Sequence, residues 1–600
     1  MKFLKIFWAT LLACVVSTVV GILIWVGIIG SFIASLSGDS EVVIEPNSIL
    51  RIELSESFSE APVGDPLSQI DFSTLEIKPS LTLLSALRAI EAAATDDNIE
   101  AVLISPSIYS TIPTAALQEM REALVQFKEK SGKPVLAYTT NYTQSGYYFA
   151  SAADKVYAQP EGMILWQGMA TSTMFYKGLF EKLGISVEVF RPTVCRYKSA
   201  VEPYILDKMS PENRAQMNQL ISSIWGVIAG DVALSRGLSL EEVNRIADNL
   251  ECMDVEDALK CRMIDGLIYQ DQIAELFREA GADIGDNDNE VNYIDFGDYA
   301  AAKSLVQQNI GADKVAIIYA EGAIVDGVGY DAKVYGDATA KIIRDARYDD
   351  DIKAVVLRVN SPGGSALASD VMWRELELLR AEKPLIVSMS NYAASGGYYI
   401  SAPADIIIAN PVTITGSIGV YSMIPNVEAA LKSKVGITYD GVETNSSADF
   451  LKSMKSMNQF EKRMMVKNVD KVYTRFTGLV SEGRNLPLED VLEIAQGRVW
   501  SGNDAVGLGL ADRTGGLRDA VAVAVDRAGI ADHYRIVELM GEPTGIAALF
   551  SSTEAKIRAM VMGNSPAAKL TNEYTEIIEA FEPLKSQNGM IMYSPYRLEL

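Results

Sequence analysis

The sequence repeats itself at an offset of about 250 residues, and this repeat restricts the possible folds more than any other feature. Residues 96–106 (DDNIEAVLISP) match residues 349–362 (DDDIKAVVLRVNSP), and residues 145–160 match residues 395–411. Three further pairs keep the offset: 133–142 with 383–392, 236–243 with 484–491, and 256–267 with 503–514. A constant offset over so many segments predicts two copies of one domain.

The repeat predicts how the chain is divided. We expect an N-terminal stub and anchor at 1–39, a first copy at 40–283, an acidic linker with room for one helix at 284–313, a second copy at 314–535, and a C-terminal extension at 536–600. Within each copy, short apolar strands alternate with amphipathic helices, which predicts parallel βα units and an α/β fold. In the second copy the strands are predicted at Val315–Tyr319, Ile352–Val359, Pro384–Met389 and Asp405–Ala409. A core-facing helical stripe is predicted at Leu367, Val371 and Leu378.

The N-terminal residues Phe7–Leu36 form an almost uninterrupted apolar stretch, preceded by Lys2 and Lys5. This stretch exceeds the ~20 residues that a helix needs to cross a bilayer. It also exceeds the apolar region of a cleavable signal, which is about 7–15 residues long. We therefore expect an uncleaved single-pass anchor, with cleavage near Ala34 as the alternative. The positive-inside rule predicts a cytoplasmic N-terminus and export of the chain that follows the anchor.

Charge and the scarcity of histidine exclude several functional classes. The chain has 53 lysines and arginines against 78 acidic residues, a net charge of −25, and no basic stripe, so it is a poor candidate for binding nucleic acid. The one histidine, His533, excludes a histidine-rich metal site, and we expect it at the surface before a late strand. The four cysteines have no metal-binding spacing, and we expect Cys252 and Cys261 to be free thiols rather than a disulfide.

Two glycine turns follow neighbouring strands of the second copy. Ser395 begins a Ser-Gly-Gly turn within Asn391–Ala402, and the residues after it predict a buried helix. Gly363 and Gly364 end an Asn-Ser-Pro-Gly-Gly turn, which also lies between a strand and a helix. Either turn alone is common in α/β proteins, but the pair in this order is more specific. A serine at such a turn presents its hydroxyl beside the unpaired N–H groups of a helix N-terminus, so a nucleophile and an oxyanion site can coexist there.

The first copy lacks both glycine turns. Residues 105–108 are Ser-Pro-Ser-Ile, and the Ser-Gly-Gly turn is replaced by the shorter Gln144-Ser145-Gly146. Counting back from the aspartate that follows places Gln144 opposite Ser395, whereas counting forward from the preceding asparagine places Ser145 there. We expect Ser145 to be structural.

The first copy carries instead a lysine that the second copy lacks. Lys198 lies in Arg196–Tyr204 (RYKSAVEPY), and the corresponding residues 442–448 contain no lysine. Because the chain has one histidine, a lysine is the available base for Ser395, and it must be desolvated to be neutral near pH 7. A serine turn in one copy and a lysine in the other predict a single active site shared between the halves.

Four motifs together resemble the signal peptide peptidase A family in its long, double-domain form. They are YKSAVEP (197–203), NSPGG (360–364), SGGYY (395–399) and TGSIG (415–419). The resemblance implies tandem ClpP/crotonase-like domains, each a superhelix of ββα units. It also implies a homotetrameric serine peptidase of the inner membrane that needs no metal or organic cofactor. Its substrates would be signal peptides left in the membrane after preprotein processing.

The resemblance also implies roles for individual residues. Ser395 would be the nucleophile and Lys198 the general base of a Ser-Lys dyad. The remaining roles are oxyanion donors, expected at Gly364 and Gly396 with Gly363 beside them, and a serine that orients the lysine, expected at Ser417. The resemblance implies nothing for residues 536–600.

Two other functions are compatible with the sequence. A crotonase-type acyl-CoA enzyme would share the fold and the glycine turns, but an export anchor argues against it because CoA esters are cytoplasmic. A membrane-anchored scaffold without activity would also share the fold. A degenerate enzyme, however, need not keep the lysine, the serine and the glycine motifs together. Covalent labelling of Ser395 by a fluorophosphonate separates the peptidase from the scaffold.

Overall fold

The computed structural model describes residues 43–55, 58–62, 70–71, 76–77, 81–285, 291–304, 313–329, 333–452, 455–531, 533–540 and 591–593. The apolar stretch 7–36, predicted to be an anchor, lies outside the described residues, as does most of the extension 536–600. Among the residues described, no helix is both long enough and apolar enough to cross a bilayer.

The first half alternates strands with helices. Its strands are β1 (Ser48–Ile52), β2 (Phe58–Ser59), β3 (Ile70–Asp71), β4 (Glu76–Ile77), β5 (Leu81–Thr82), β6 (Ile99–Ile104), β7 (Val135–Tyr142), β8 (Lys155–Ile164), β9 (Ser186–Phe190), β10 (Gly266–Leu267) and β11 (Asn292–Asp295). Its helices are α1 (Leu83–Ala93), α2 (Thr114–Ser131), α3 (Gln144–Ala150), α4 (Lys177–Leu183), α5 (Glu202–Ile205), α6 (Pro211–Arg236), α7 (Leu240–Asp248), α8 (Val255–Lys260), α9 (Ile273–Glu279) and α10 (Phe296–Ser304). Short 3₁₀ turns lie at Ser199–Val201 and Gln270–Gln272.

The second half repeats this alternation. Its strands are β12 (Asp313–Glu321), β13 (Ile324–Val325), β14 (Val334–Tyr335), β15 (Ile352–Ser361), β16 (Gly363–Ser365), β17 (Leu385–Ala394), β18 (Ile406–Ala409), β19 (Ile414–Gly416), β20 (Ser422–Asn426), β21 (Val499–Ser501), β22 (Arg513–Thr514), β23 (Tyr534–Leu539) and β24 (Ile591–Tyr593). Its helices are α11 (Gly336–Tyr348), α12 (Ala366–Arg380), α13 (Gly396–Ser401), α14 (Glu428–Ala430), α15 (Gln459–Arg484), α16 (Leu488–Ile494), α17 (Gly502–Gly507) and α18 (Leu517–Ala528), with a π-helical turn at Leu431–Val435.

Each half is built on one main sheet, and the two sheets have the same strand order. The six-stranded sheet of the first half runs β10-β8-β7-β6-β1-β11, with every pairing parallel. The eight-stranded sheet of the second half runs β21-β19-β17-β15-β12-β23, with β18 beside β17 and β22 beside β18. Among the described strands of this sheet, the β19–β21 pairing is antiparallel and the others are parallel. The chain is therefore a mixed α/β protein with one topology present twice.

The segment 284–313, expected to be a linker, supplies part of the first sheet. Within it, β11 pairs with β1 along the edge of the sheet, and α10 follows directly. In the second half, β23 occupies the equivalent edge beside β12 and extends to Leu539, past the expected boundary at 535. The edge strand that closes each sheet thus comes from the end of each repeat.

The central strands are apolar along nearly their whole length. Residues Ala354–Val359 of β15 are all buried, because helices cover both faces of the parallel sheet. The long helix α6 begins after Ser210, whose side chain accepts a hydrogen bond from Asn213 N, and it ends at Gly237 in the left-handed conformation. Helix α15 begins with a capping box at Asn458. These two long helices pack beside the segment Cys195–Lys198, through Gln216 of α6 and Tyr473 of α15.

The register between the two copies is fixed by matching tyrosines. Tyr147 OH donates to Met263 O at 2.6 Å, and Tyr398 OH donates to Leu510 O at 2.8 Å. These two hydrogen bonds are equivalent in the repeat, so counting back three residues from each tyrosine places Gln144 opposite Ser395. The Gln144 side chain bonds to the backbone of residues 167–168, so the first copy uses this position for structure.

A buried guanidinium joins the two halves. Arg358, on β15, has a fully buried side chain, with Nε 3.0 Å from Glu60 Oε2 and Nη2 2.8 Å from Glu119 Oε1. Both carboxylates come from the first half. Burial raises the pKa of Glu119 to about 7, although the positive charge of Arg358 acts in the opposite direction by favouring the ionised carboxylate. Glu119 Oε2 also accepts a hydrogen bond from Leu517 N at 2.7 Å, so this cluster holds elements of both halves in place.

A two-stranded ribbon forms a second connection between the halves. β9 of the first half pairs antiparallel with β20 of the second, with Phe190 opposite Ser422. The chain reaches Lys198 shortly after β9, and it passes Ser417 shortly before β20. The ribbon therefore brings the lysine segment of one half next to a turn of the other.

Two smaller expectations had different outcomes. Cys252 and Cys261 are free thiols, as expected. The prediction that Leu367 faces the core is wrong, because this residue is 67 % exposed. Helix α12 begins at Ala366, one residue before Leu367. Its buried stripe runs through Met372, Leu376 and Leu379 instead.

Candidate active site

Ser395 lies at the turn between β17 and α13, where the sequence predicts a strand-to-helix turn. Its backbone has φ 56° and ψ −111°, a conformation that residues with side chains rarely adopt. Ser395 N donates to Gly416 O at 2.8 Å, and Ser395 O accepts from Tyr399 N at 2.9 Å. These hydrogen bonds hold the turn from both sides and fix the direction of a fully buried hydroxyl.

Three oxygen atoms surround the amine nitrogen of Lys198. Lys198 Nζ lies 2.7 Å from Ser395 Oγ, 2.9 Å from Ser417 O and 2.9 Å from Ser417 Oγ. A neutral amine has two N–H groups and one lone pair. The two N–H groups match the two Ser417 oxygens, and the lone pair then faces the Ser395 hydroxyl. This is the arrangement that a general base for a serine requires.

The surroundings of Lys198 favour its neutral form. The side chain is 1 % exposed, and burial lowers the pKa of Lys198 from 10.5 to about 7. The Cys195 thiol acts in the opposite direction and has the smaller effect. Among the described residues, no carboxylate contributes to the pKa of this lysine. The amine can therefore accept a proton at neutral pH.

The two glycine turns of the second half lie against each other. A Cβ added at Gly396 would lie 3.1 Å from Gly364 N, and one added at Gly397 would lie 2.6 Å from Ser361 O. A side chain at either position would separate the turns. Gly396 is also the first residue of α13, so its N–H has no acceptor within the helix. The backbone N–H groups of the two turns are thus near each other, as an oxyanion site requires.

Gly363, expected beside the oxyanion donors, uses its N–H within its own turn. Gly363 N donates to Ser361 Oγ at 3.2 Å, and Ser361 Oγ in turn donates to Gly322 O at 2.6 Å. The Gly363 N–H, which was expected to face a substrate, therefore already has a hydrogen-bond acceptor in the Ser361 side chain. Gly364 and Gly396 are left as the candidate donors.

A short strand lies against the same turn. β24 pairs antiparallel with β16, with Tyr593 opposite Gly363 and Ile591 opposite Ser365. The backbone edge next to the nucleophile thus accepts an added extended strand. Extended peptides bind to many proteins in this way, through main-chain hydrogen bonds to an open sheet edge.

The arrangement supports acyl transfer with a lysine base rather than with a histidine. His533 is exposed and directly precedes β23, whereas Ser395 is buried beside Lys198. The predicted residues Ser395, Lys198 and Ser417 therefore meet, and the one histidine of the chain stays at the surface, as expected.

Comparison with known proteins agrees with this chemistry. The sequence profile of peptidase family S49 matches residues 127–284 and 377–531. The chain belongs to peptidase family S49. It is 38 % identical to Protease 4 of Salmonella typhi, over 80 % of this chain and 77 % of that protein. It is 34 % identical to Protease 4 of Haemophilus influenzae, over 76 % of this chain and 74 % of that protein. It is also 31 % identical to the chloroplastic serine protease SPPA of Arabidopsis thaliana, over 74 % and 65 % of the two chains.

These matches identify the chain as a serine peptidase of the double-domain S49 form. The S49 profile matches both halves, and its two segments include the lysine of the first half and the serine of the second. The resemblance recognised from the motifs is thus confirmed at the level of the family.

The sequence did not indicate the residues that hold the lysine of this S49 site. Gln216 Nε2 donates to Tyr197 O at 2.9 Å, and Tyr197 N donates to Gln496 O at 3.1 Å. Gln216 lies on α6, the next long helix after the lysine segment, whereas Gln496 belongs to the second half. The available signal is the segment Gln-Gly-Arg-Val-Trp at 496–500, because the matched residues 249–253 of the first copy are Asn-Leu-Glu-Cys-Met.

Proposed function

We propose that this S49 peptidase is a membrane-anchored endopeptidase that cleaves signal peptides with a Ser395–Lys198 dyad. The observation that supports this most is the buried Lys198 amine, 2.7 Å from Ser395 Oγ, with a pKa near 7. When the pKa of a base lies near the working pH, a sufficient fraction of the base is neutral, and the base is still strong enough to take the proton.

Acylation begins with the removal of the Ser395 proton. Neutral Lys198 takes the proton from Oγ, and Oγ attacks the carbonyl carbon of the scissile peptide bond. The Ser417 oxygens hold Nζ during this transfer, because they accept its two N–H groups. The product is a tetrahedral intermediate that carries a negative charge on the former carbonyl oxygen.

That charge needs N–H donors already in place. We assign this role to the N–H groups of Gly364 and Gly396, whose turns lie against each other. Removing one such donor from a comparable hydrolase costs about 3–4 kcal/mol of transition-state stabilisation. A pair of donors can therefore supply a large share of the rate enhancement.

The protonated lysine then completes the reaction. Lys198 gives its proton to the leaving amine nitrogen, the C–N bond breaks, and an ester to Ser395 Oγ remains. Water enters, gives a proton to the neutral lysine and attacks the ester carbonyl. Collapse of this second intermediate releases the carboxylic acid and returns the proton to Ser395 Oγ.

We propose that the substrate binds as an extended strand along β16. The pairing of β24 with this edge supports the idea, since it is the same backbone geometry that a bound peptide would use. Signal peptides fit the site because the residues around Ser395 are small, which leaves room for small or apolar side chains near the cut. A relative from Enterococcus faecium, 30 % identical over 43 % of this chain, is named a putative signal peptide peptidase.

The remaining expectations belong to the same proposal. We propose that residues 7–36 anchor the chain in the inner membrane with the N-terminus in the cytoplasm, so that both halves face the extracytoplasmic side. We also propose a homotetramer and a ClpP/crotonase-like superhelix for each half. The apolar length of 7–36 supports the anchor, and the repeated parallel sheets support the superhelix. The homotetramer is implied by the family resemblance.

The test is hydrolysis of a signal-peptide substrate by the detergent-solubilised protein, its Ser395→Ala variant and its Lys198→Ala variant. We expect both variants to stay folded and to lose at least about 10³-fold in kcat. A fluorophosphonate should label the wild type and not the Ser395→Ala variant. Lys198→Ala activity close to wild type would overturn the dyad, and a wild type that neither cleaves nor is labelled would favour the scaffold.

A further inference from the structure

The backbone beside Lys198 is held by hydrogen bonds from other elements. Tyr197 N donates to Gln496 O at 3.1 Å, which connects the lysine segment to the second half. Gln216, on α6 and 1 % exposed, donates from Nε2 to Tyr197 O at 2.9 Å. Its Oε1 accepts from Val499 N at 3.3 Å, so one buried amide joins the lysine segment to the strand after Gln496.

The loop Gln496–Arg498 also holds the turn that accepts hydrogen bonds from Lys198. Gly497 N donates to Ile418 O at 2.8 Å, and Ser417 N donates to Arg498 O at 2.6 Å. One three-residue loop therefore bonds on one side to the residue before Lys198 and on the other side to Ser417. It sets the separation between the base and its hydrogen-bond acceptors.

Gly497 packs directly against the backbone of the lysine. Its φ is +79°, and an added Cβ would lie 2.5 Å from Lys198 Cβ and 2.8 Å from both Lys198 Cα and N. These distances are far shorter than a normal carbon contact, which is about 3.5–4.0 Å. The atoms in the way are backbone atoms and a Cβ, which no change of side-chain rotamer can move.

The first copy indicates that the contact, and not the turn itself, requires a glycine. Four residues before the N-cap of the equivalent helix, Leu250 occupies the position that corresponds to Gly497. Leu250 also has a positive φ, 52°, and its side chain is 43 % exposed. A side chain is thus accommodated in this turn when no lysine lies against it.

An arginine fixes the ring of the residue before the lysine. The Arg498 guanidinium lies 4.9 Å from the ring centroid of Tyr197 and 4.1 Å from that of Trp500. Tyr197 belongs to the first half, whereas Arg498 and Trp500 belong to the second. The stacked groups add a cation–π contact to the backbone hydrogen bonds across the same boundary.

We propose that the loop Gln496–Arg498 and the Gln216 amide are positioning residues for the base: they hold Lys198 Nζ against Ser395 and Ser417 and keep water away from it. This inference rests on the proposed Ser395–Lys198 dyad. The groups that face the lysine are the Cys195 thiol, the Tyr473 hydroxyl of α15 behind that thiol, and Arg191, which donates to Lys198 O at 3.0 Å.

The decisive variant is Gly497→Ala, measured by the pH dependence of kcat. The new methyl group should displace Lys198, and a displacement of about 1 Å can cost ~100-fold in kcat. Water admitted beside the amine should also raise the midpoint of the pH profile from near 7 toward the ordinary lysine value. KM should change little, because Gly497 contacts the base and not the peptide-binding edge.

Gly529→Ala is the matched control. Gly529 has a similar φ, +68°, but an added Cβ there would have no atom within 4 Å. This variant imposes the same kind of backbone strain without touching the lysine, and it should keep the wild-type kcat and pH midpoint. Equal thermal unfolding midpoints in the two variants would show that strain alone does not explain a loss of activity.

Gln216→Met tests the same proposal if Gly497→Ala fails to fold. Methionine has a similar volume, but it leaves Tyr197 O and Val499 N without their partner. We expect a lower kcat and an upward shift of the pH midpoint here as well. A folded Gly497→Ala or Gln216→Met protein with the wild-type midpoint overturns the positioning role. Retained activity of Lys198→Ala overturns the dyad itself, and the two failures are therefore distinct.

Discussion

Lys198 and Ser395 are 197 residues apart in the sequence, yet Lys198 Nζ lies 2.7 Å from Ser395 Oγ within one chain. One residue belongs to each half of the duplication, and each half lacks the group that the other supplies. The proposed active site therefore exists only when the two halves are packed together. Its geometry depends on contacts between the halves as much as on either sheet.

The first prediction concerns the pH dependence of catalysis. The base must be neutral, and the pKa of Lys198 is lowered to about 7, so kcat/KM should rise with pH to a plateau above this value. Below it, the rate should fall tenfold for each pH unit, because the neutral fraction of Lys198 falls by that factor. The measurement is a pH profile of peptide hydrolysis, with Lys260→Met as control, since Lys260 is exposed. A midpoint near 10 would contradict the desolvated base.

The second prediction concerns stability. The pKa of Lys198 is lower in the folded chain than the 10.5 expected in the unfolded chain, so the unfolded state binds one more proton between about pH 7 and 10.5. Wild-type stability should therefore increase with pH through that window, and the destabilisation by Lys198 is fully present below pH 7. Lys198→Met should thus unfold at a higher temperature than the wild type at pH 6.

Thermal unfolding of both proteins across this pH range measures the effect. The difference between them should shrink as the pH rises toward 10.5, and other titrating groups cancel in the comparison. If Lys198→Met is the less stable protein at pH 6, the amine is favourably solvated in the fold and the proposed desolvation is wrong.

The third prediction concerns the charge cluster between the halves. Arg358→Met removes the guanidinium that faces Glu60 and Glu119, and it leaves two buried carboxylates without a counter-charge. Breaking a buried ion pair in this way costs about 3–5 kcal/mol. Arg262→Met is the control, because its ion pair with Glu242 is exposed and screened by solvent and should contribute little to stability. Denaturant unfolding compares the two, and equal losses would contradict the structural role of Arg358.

Much of the site could be predicted because the duplication acts as an internal comparison. The contrast between Gln144 and Ser395, and between the lysine segment and its counterpart, separates residues kept for the fold from residues kept for chemistry. The apolar pattern predicted the parallel strands, because strands buried on both faces are apolar along their length. The packing of Lys198 against Ser395 depends on long-range contacts, which neither the repeat nor the apolar periodicity specifies.

The features that the sequence did not predict depend on backbone atoms and on contacts between distant segments. Gly497 matters because an added Cβ there would lie 2.5 Å from Lys198 Cβ, a proximity that only the packed halves create. The N–H of Gly363 is used by Ser361 Oγ, which the glycine motif alone does not reveal. Leu367 faces outward because a second apolar stripe of α12, through Met372, Leu376 and Leu379, faces the core, and spacing alone does not show which of two neighbouring stripes is buried.

The last prediction concerns the strand β24 (Ile591–Tyr593). It pairs with Gly363–Ser365, the edge along which we expect the substrate to bind, so strand and substrate should compete. Deletion of residues 591–600 should lower KM at least about threefold, because a tethered competitor has a high effective concentration. The deletion should leave kcat unchanged, since β24 does not contact the dyad among the described contacts.

Met592→Pro is the matched variant for this experiment. It keeps the chain length but removes the backbone N–H at the residue that lies opposite Gly364, which weakens the pairing. It should lower KM in the same direction as the deletion, and a synthetic peptide of residues 589–595 should inhibit the shortened protein competitively. Unchanged KM in both variants, with no inhibition by the peptide, would mean that substrate reaches Ser395 along a different edge from the one that β24 covers.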